Sequence, residues 1–377
     1  MTTPPSRPGA ERTDGSSVQI GALVPLTRPG WAEAGQHLLA GLELAVREVN
    51  DAGGIAGRPL ELVVRDTAAD PQRASAAVDE LAGLGVAALA GEYHSVVARA
   101  AATRADALGL PFLCSSAVLD ALTEQPTKWV ARLPPPQSRG WQVYADFLLA
   151  AGHSRIAVAA QPSVYWAAGT RILRDYLAPR GGTVTELDMS AFDATAGCDA
   201  TAVCDELADN RATVLLLLVG HPEPAVSIVK SVRRDQRLAE IMIGAPAGQP
   251  EFAEWATSLG DDSAAIPFLR YLPERLTPLG ERVGTALREQ LAAAPSFVAF
   301  EGYDTVAVLA DVLRTDGVDR AARTADSWPR VAVEGTRGQI RFSRMPGISV
   351  WQWAGTPIQV VDRDPADLDR FRILHTG

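Results

Sequence analysis

The stretch from Val18 to Pro71 constrains this chain more than any other, because it spells out a complete βαβ unit together with its turns. Val18-Gln19-Ile20-Gly21-Ala22-Leu23-Val24-Pro25 is a short apolar run ended by proline, long enough for a buried strand and too short for a helix. From Ala34 onward the apolar residues Leu38, Leu42, Ala45, Val46 and Val49 recur at steps of three and four, the stripe of a helix lying on a sheet. Asn50-Asp51-Ala52-Gly53-Gly54 ends that helix, since glycine takes the left-handed conformation that closes a helix C-terminus. A second strand follows at Leu60-Glu61-Leu62-Val63-Val64-Arg65-Asp66, and Asp70-Pro71 opens the next helix with a capping carboxylate and proline at its first position.

The same rhythm continues with a helix over 74–84, a strand over 86–90, a helix over 95–108 and a strand over 111–114. Arg132-Leu133-Pro134-Pro135-Pro136 breaks it, because three successive prolines fit neither a central strand nor a helix interior. We read this as a crossing into a second lobe. There, helices over 142–151, 168–177, 201–209 and 224–234 alternate with strands over 155–160, 183–187, 213–219 and 240–243. Residues 264–271 carry the chain back, and helices over 278–294 and 300–315 rejoin the first lobe. Such alternation predicts an α/β fold of two Rossmann-like lobes, each a parallel sheet flanked by helices, joined by a three-crossing hinge with a ligand cleft between them.

Composition agrees with two lobes, since 377 residues exceed what one compact core usually holds. No apolar run reaches the ~18–20 residues that span a bilayer, so no membrane insertion is expected. Asp+Glu of 45 against Lys+Arg of 35 gives a formal charge of -10, which argues against sequence-independent nucleic-acid binding. Residues 1–17 are proline, serine, glycine and charge without the apolar centre of a secretory signal, and read as a disordered arm. A cytoplasmic location is the expectation for the chain as it stands, and an extracellular one if a signal is missing from it.

The sequence holds no His-Glu-x-x-His and no Gly-x-Ser-x-Gly, and His37, His94, His153, His221 and His375 fall singly. Gly53-Gly54-Ile55-Ala56-Gly57 lacks the lysine of a phosphate loop and follows a helix, so it is a turn. Neither catalytic residues, a metal nor a cofactor is expected. Cys114 reads as a small buried hydrophobe in a strand, while Cys198 and Cys204 are either free or bridged.

The segments IGALVPLT from Ile20 and AGQHLLAGLELAVREVNDAGGIAGRPLELVVRDTAADP from Ala34 resemble the opening of the leucine/isoleucine/valine-binding branch of the type I periplasmic binding proteins. The resemblance extends to about Asp304. It implies a non-enzymatic binder of small solutes that works by cleft closure, like the substrate-binding component of a branched-chain amino acid-type ABC importer. The alternative is a cytoplasmic sensor like the amide-responsive regulators of the same fold. The partners implied are a small-molecule ligand and either a transporter permease or a regulatory protein. In the family, a segment comparable to the strands at 338–342 and 349–353 returns to the second lobe. The expected divisions are therefore 18–133 plus 268–335 for the first lobe, 134–267 plus 336–366 for the second, and a tail over 367–377. The crossings are expected at 133–136, 266–269 and 335–338.

Ligands of open α/β sheets sit beyond the carboxyl ends of the strands, which singles out the turns after each strand. Gly91-Glu92-Tyr93-His94-Ser95 brings Ser95 to a helix start, where it caps the helix or holds an anion. By resemblance, this segment carries the serine that holds a ligand α-carboxylate. The turn Ser115-Ser116-Ala117-Val118 faces the same cleft, and there the family's ammonium-binding threonine falls on Val118. In Gly244-Ala245-Pro246-Ala247 the family's ammonium-binding glutamate falls on Pro246. With both partners missing, an ordinary α-amino acid would bury an unpaired ammonium, which costs several kcal/mol. The expected ligand is a carboxylate or amide without that ammonium, unless Glu92 or Glu223 supplies the charge. Tyr93, Trp31 and Tyr165 add aromatic surface, and Tyr165 aligns with a cleft tyrosine of the relatives. Gly220 stands where the relatives carry another tyrosine, and His221 and Glu223 read either as helix-start residues or as ligand contacts.

Overall fold

The structure, a computed structural model, describes residues 17–189, 200–316 and 326–377. In chain order the first unit is β1 (Val18–Val24), α1 (Ala32–Asp51), β2 (Leu60–Asp66), α2 (Pro71–Gly83), β3 (Ala88–Gly91), α3 (Ser95–Leu108), β4 (Phe112–Cys114) and β5 (Val130–Arg132). The second is α4 (Gln137–Ala150), β6 (Arg155–Ala160), α5 (Val164–Leu177), β7 (Thr183–Glu186), α6 (Thr201–Asn210), β8 (Val214–Leu218), α7 (Ala225–Arg234), β9 (Met242–Gly244), α8 (Ala253–Leu259) and β10 (Phe268–Arg270). The remainder is α9 (Pro278–Leu291), α10 (Phe297–Asp316), β11 (Val333–Gly335), β12 (Gly338–Ile340), β13 (Phe342–Ser343), β14 (Trp351–Trp353), β15 (Gln359–Asp364) and β16 (Asp367–Thr376).

The predicted βαβ opening is present. β1 pairs in parallel with β2, Val18 opposite Leu60, and with β3 on its other side. Its residues are almost all buried, as expected of a strand covered on both faces. Asp70 caps α2, its side chain accepting from Gln72 N at 2.8 Å and Arg73 N at 3.0 Å. α1 turns its buried stripe, including Leu38, Leu42 and Ala45, against α10. The two helices meet backbone to backbone at glycines: a Cβ on Gly41 would lie 1.9 Å from the Ala299 carbonyl oxygen, and one on Gly302 would lie 2.3 Å from that of Leu38.

The second sheet runs β7-β6-β8-β9, all parallel, and β10 lies beside its end, Ala245 N donating to Pro267 O at 2.9 Å. The C-terminal stretch departs from expectation. β13 and β14 extend the first sheet, whose order is β13-β14-β5-β4-β3-β1-β2, so residues 342–353 do not return to the second lobe. The reason is buried Arg132, which donates from Nε to Gln352 Oε1 at 2.7 Å and so ties β14 to β5. The expected crossing at 335–338 is instead the turn of the β11–β12 hairpin. Arg337 in that turn is held by Asp304 of α10 at 2.9 Å and Glu301 at 3.2 Å. The chain passes between lobes at 133–136, at 271–277 and at 354–358, because β10 pairs with β15 rather than ending before it. Thr356 Oγ1 donates to Leu133 O at 2.8 Å, fastening the third passage to the first. The expected tail is the long strand β16, antiparallel to β15. Residues 1–16 and Cys198, and with it any Cys198–Cys204 bridge, lie outside the described residues. Among the described residues no helix is long and apolar enough to cross a membrane.

Candidate functional site

A cavity of about 500 Å³ lies between the lobes, lined by the turns that follow β1, β3, β4, β6, β8 and β9. Of the residues singled out in the sequence, Trp31, Tyr93, His94, Ser95, Ser116, Val118, Tyr165, Gly220 and His221 line it. Ala117 and Pro246 do not. Ala117 packs into the core beneath α3, and Ala247 takes the wall position beside Pro246. Sequence reading did not single out Arg28, Gln249, Glu254, Tyr271 or Phe297. Tyr271 is the last residue of the stretch read as carrying the chain back, and Phe297 opens α10 three residues before the helix start that periodicity suggests.

Ser95 does not cap α3. The cap position is His94, whose side chain makes no capping bond, and Ser95 is the first helical residue. Its Oγ instead accepts from Val118 N at 3.2 Å and Leu119 N at 3.3 Å. A hydroxyl that accepts twice has only its proton left to give. Ser95, Val96 and Val97 line the cavity, so this proton and the uncapped first turn of α3 make a donor-rich wall. Ser116 adds a second hydroxyl, almost fully buried and without a well-aligned partner, although close enough to Glu301 to favour its charged form.

His94 is a brace rather than a ligand group. Its Nε2 accepts from Trp31 N at 3.3 Å, which leaves Nδ1–H to donate to Glu92 Oε1 at 3.3 Å. Glu92, fully buried behind the wall, also accepts from Thr67 Oγ1 at 3.1 Å and from the backbone N–H groups of Tyr93 and His94. Glu223 is exposed and lines no part of the cavity. The Val118 carbonyl, next to the place of the missing threonine, accepts from Gln137 N at 2.7 Å and Arg132 Nη1 at 3.1 Å, which fills both lone pairs. Among the described lining residues the one carboxylate is Glu254, at the rim and paired with Arg28.

Aromatic rings join the lobes around this space. Trp31 stacks on His221 at 5.0 Å and leans on Phe252 at 5.5 Å, and Tyr93 meets Phe252 edge-on at 6.0 Å. Tyr165 packs on Trp166 at 4.7 Å, and Tyr271 meets Phe297 at 5.2 Å. Burial pushes the Tyr93, Tyr165 and Tyr271 phenols up and the His221 imidazole down, so all four stay neutral at pH 7. Away from the wall, Glu33 of α1 reaches across the cleft and accepts from Ala253 N at 2.8 Å and Glu254 N at 3.0 Å, at the start of α8. Beneath Ser116, burial pushes the Glu301 carboxyl up to about 7 despite Arg337 beside it.

Cys114 is buried in β4, and burial pushes its thiol up to about 12, which removes nucleophilic character. Among the described residues no group of three or more His, Cys, Asp or Glu side chains is placed to hold a metal.

Known proteins with this architecture are similar over almost the whole chain. A leucine-binding protein from Thermotoga maritima superposes with a TM-score of 0.80 at 18% identity, covering 94% of this chain and 97% of that one. A solute-binding protein of an ABC transporter from R. palustris, solved in complex with benzoate, gives 0.78 at 17% identity and covers 96% of each chain. At such identities the likeness is one of fold. In sequence, a Leu/Ile/Val-binding protein homolog from Brucella abortus is 36% identical over 135 residues, a match spanning 36% of this chain and 33% of that relative's length. The family model described as periplasmic binding protein matches residues 17–347, nearly the whole described fold, and the chain belongs to that family.

Proposed function

We propose that this protein is the substrate-binding component of an ABC-type importer and that its ligand is a small carboxylate without an α-ammonium group. The observation that carries the reading is the polarity of the cavity wall. Donors converge at Ser95, Ser116 and the first turn of α3, while the lining carboxylate Glu254 is already paired with Arg28. An anion entering here meets free N–H and O–H groups. An ammonium beside it would meet on this wall Val118 and the saturated Val118 carbonyl, with no carboxylate there to pair it, at a cost of several kcal/mol. Trp31, Tyr93, Tyr165 and Phe297 supply apolar surface for the ligand body, aromatic or branched aliphatic. The fold neighbour holding benzoate supports a carboxylate without an ammonium, and the one described as leucine-binding supports the substrate-binding role alone.

Thermal unfolding of the purified protein with millimolar benzoate, 3-phenylpropanoate, 4-methyl-2-oxopentanoate and phenylalanine tests this. A carboxylate that binds raises Tm, because a ligand stabilises through its affinity for the folded state. Stabilisation by at least one of the acids and none by phenylalanine is expected. Stabilisation by phenylalanine alone would reverse the reading.

A further inference from the structure

The two walls of the cavity differ in hydrogen-bonding sense, and the difference lies in Gln249. This residue sits in the turn after β9, is 6% exposed, and lines the cavity from the second lobe. Its Nε2 donates to Val219 O at 2.9 Å. Only the amide nitrogen can donate to a carbonyl, so that bond fixes which way the side chain faces. The other end, Oε1, has no partner. The turn cannot easily rotate to find one. Arg363 holds it from behind, donating to Pro250 O at 2.8 Å and Phe252 O at 3.0 Å, and Glu251 in the same turn is tied to Arg270 at 2.9 Å.

A buried acceptor without a donor is unfavourable, and a ligand that brings the donor recovers that loss on binding. Opposite, in the first lobe, Ser95 offers its proton. We propose that Gln249 Oε1 is a specificity-determining acceptor, and that the physiological ligand carries a neutral hydroxyl or N–H donor at the end remote from its carboxylate. The inference rests on the carboxylate reading above and narrows it. An unsubstituted acid fills the donor wall and leaves Gln249 unpaired, whereas a hydroxylated one satisfies both walls at once.

Calorimetric titration of the full chain with benzoate, 3- and 4-hydroxybenzoate, and 3- and 4-methoxybenzoate tests it. The methyl ethers keep the oxygen and lose the donor. One of the hydroxy acids should bind at least about tenfold more tightly than benzoate and than its own methyl ether, the scale of one well-made hydrogen bond in a buried site. In Gln249→Met that ratio should fall to about threefold or less. A variant that fails to fold leaves the decision to the wild-type comparison with the ethers. Hydroxy acids that bind no better than benzoate overturn the proposal and leave the carboxylate reading standing, as does a ratio that survives in Gln249→Met. Absence of binding by any carboxylate overturns both.

Discussion

Replacing Ser95 by alanine separates two tasks carried by one hydroxyl. Its oxygen accepts from the buried N–H groups of Val118 and Leu119 at 3.2 and 3.3 Å, and its proton is free for a ligand. Loss of the oxygen leaves both N–H groups without that acceptor. At these long distances each bond is worth about 1 kcal/mol, so the apo protein should lose roughly 2 kcal/mol of stability. None of this comes from a lost helix cap, because Ser95 is not one. Loss of the proton removes a charge-assisted bond to a carboxylate, worth about 1.5–3 kcal/mol, or roughly a tenfold to hundredfold weakening of affinity. Urea unfolding of the apo protein gives the first number and calorimetry with a bound carboxylate gives the second. Ser95→Thr, which keeps the hydroxyl, should recover most of both. If Ser95→Ala loses the expected stability yet binds the carboxylate as tightly as wild type, the proton does not face the ligand and the donor wall is misassigned.

Three other outcomes follow from the same geometry. Glu301 holds a proton in the folded chain up to about pH 7 that the unfolded chain releases near its ordinary 4.5, so it makes stability fall as pH rises through that window. In Glu301→Gln, stability relative to wild type should rise by up to about 3 kcal/mol between pH 4.5 and 7.5, measured by urea unfolding; a difference independent of pH would contradict the assignment. Glu33→Ala removes the bridge from α1 to the start of α8; Glu33 is not itself a lining residue, although one of its partners is the backbone N–H of lining Glu254, and at about 1 kcal/mol the change should speed ligand release roughly fivefold in stopped-flow experiments. An unchanged release rate would mean that this bridge takes no part in holding the lobes together. Gly302→Ala forces a Cβ to within 2.3 Å of the Leu38 carbonyl oxygen and should lower stability by about 1–3 kcal/mol, against no change if α1 and α10 can separate.

Much of this was readable before the structure, and the reason is local. The opening unit states its strand, helix stripe and caps within one segment, and the turns after each strand meet at the cleft because parallel sheets place them there. What periodicity could not see depends on distant partners. β5 and β14 are short strands that pair with each other, and Arg132, buried in β5, selects Gln352 across 220 positions. The C-terminal strands alternate equally well for either sheet, so pattern alone does not assign them. Gln249 belongs to the same class. Nothing in its neighbours marks it, and its role appears only once Val219 has taken its amide hydrogen. The sequence places Ser95 at a helix start, and its hydroxyl acts through the 118–119 turn instead.

The central claim is that the cavity accepts a carboxylate and refuses a neighbouring ammonium. Leucine and 4-methylpentanoate share a carbon skeleton and a carboxylate and differ in that one group, so calorimetric titration of both isolates it. The acid should bind at least about a hundredfold more tightly than leucine, since an uncompensated buried ammonium costs several kcal/mol. Leucine binding at micromolar strength, as tightly as the acid or more so, would show that a partner for the ammonium exists and that the claim is wrong.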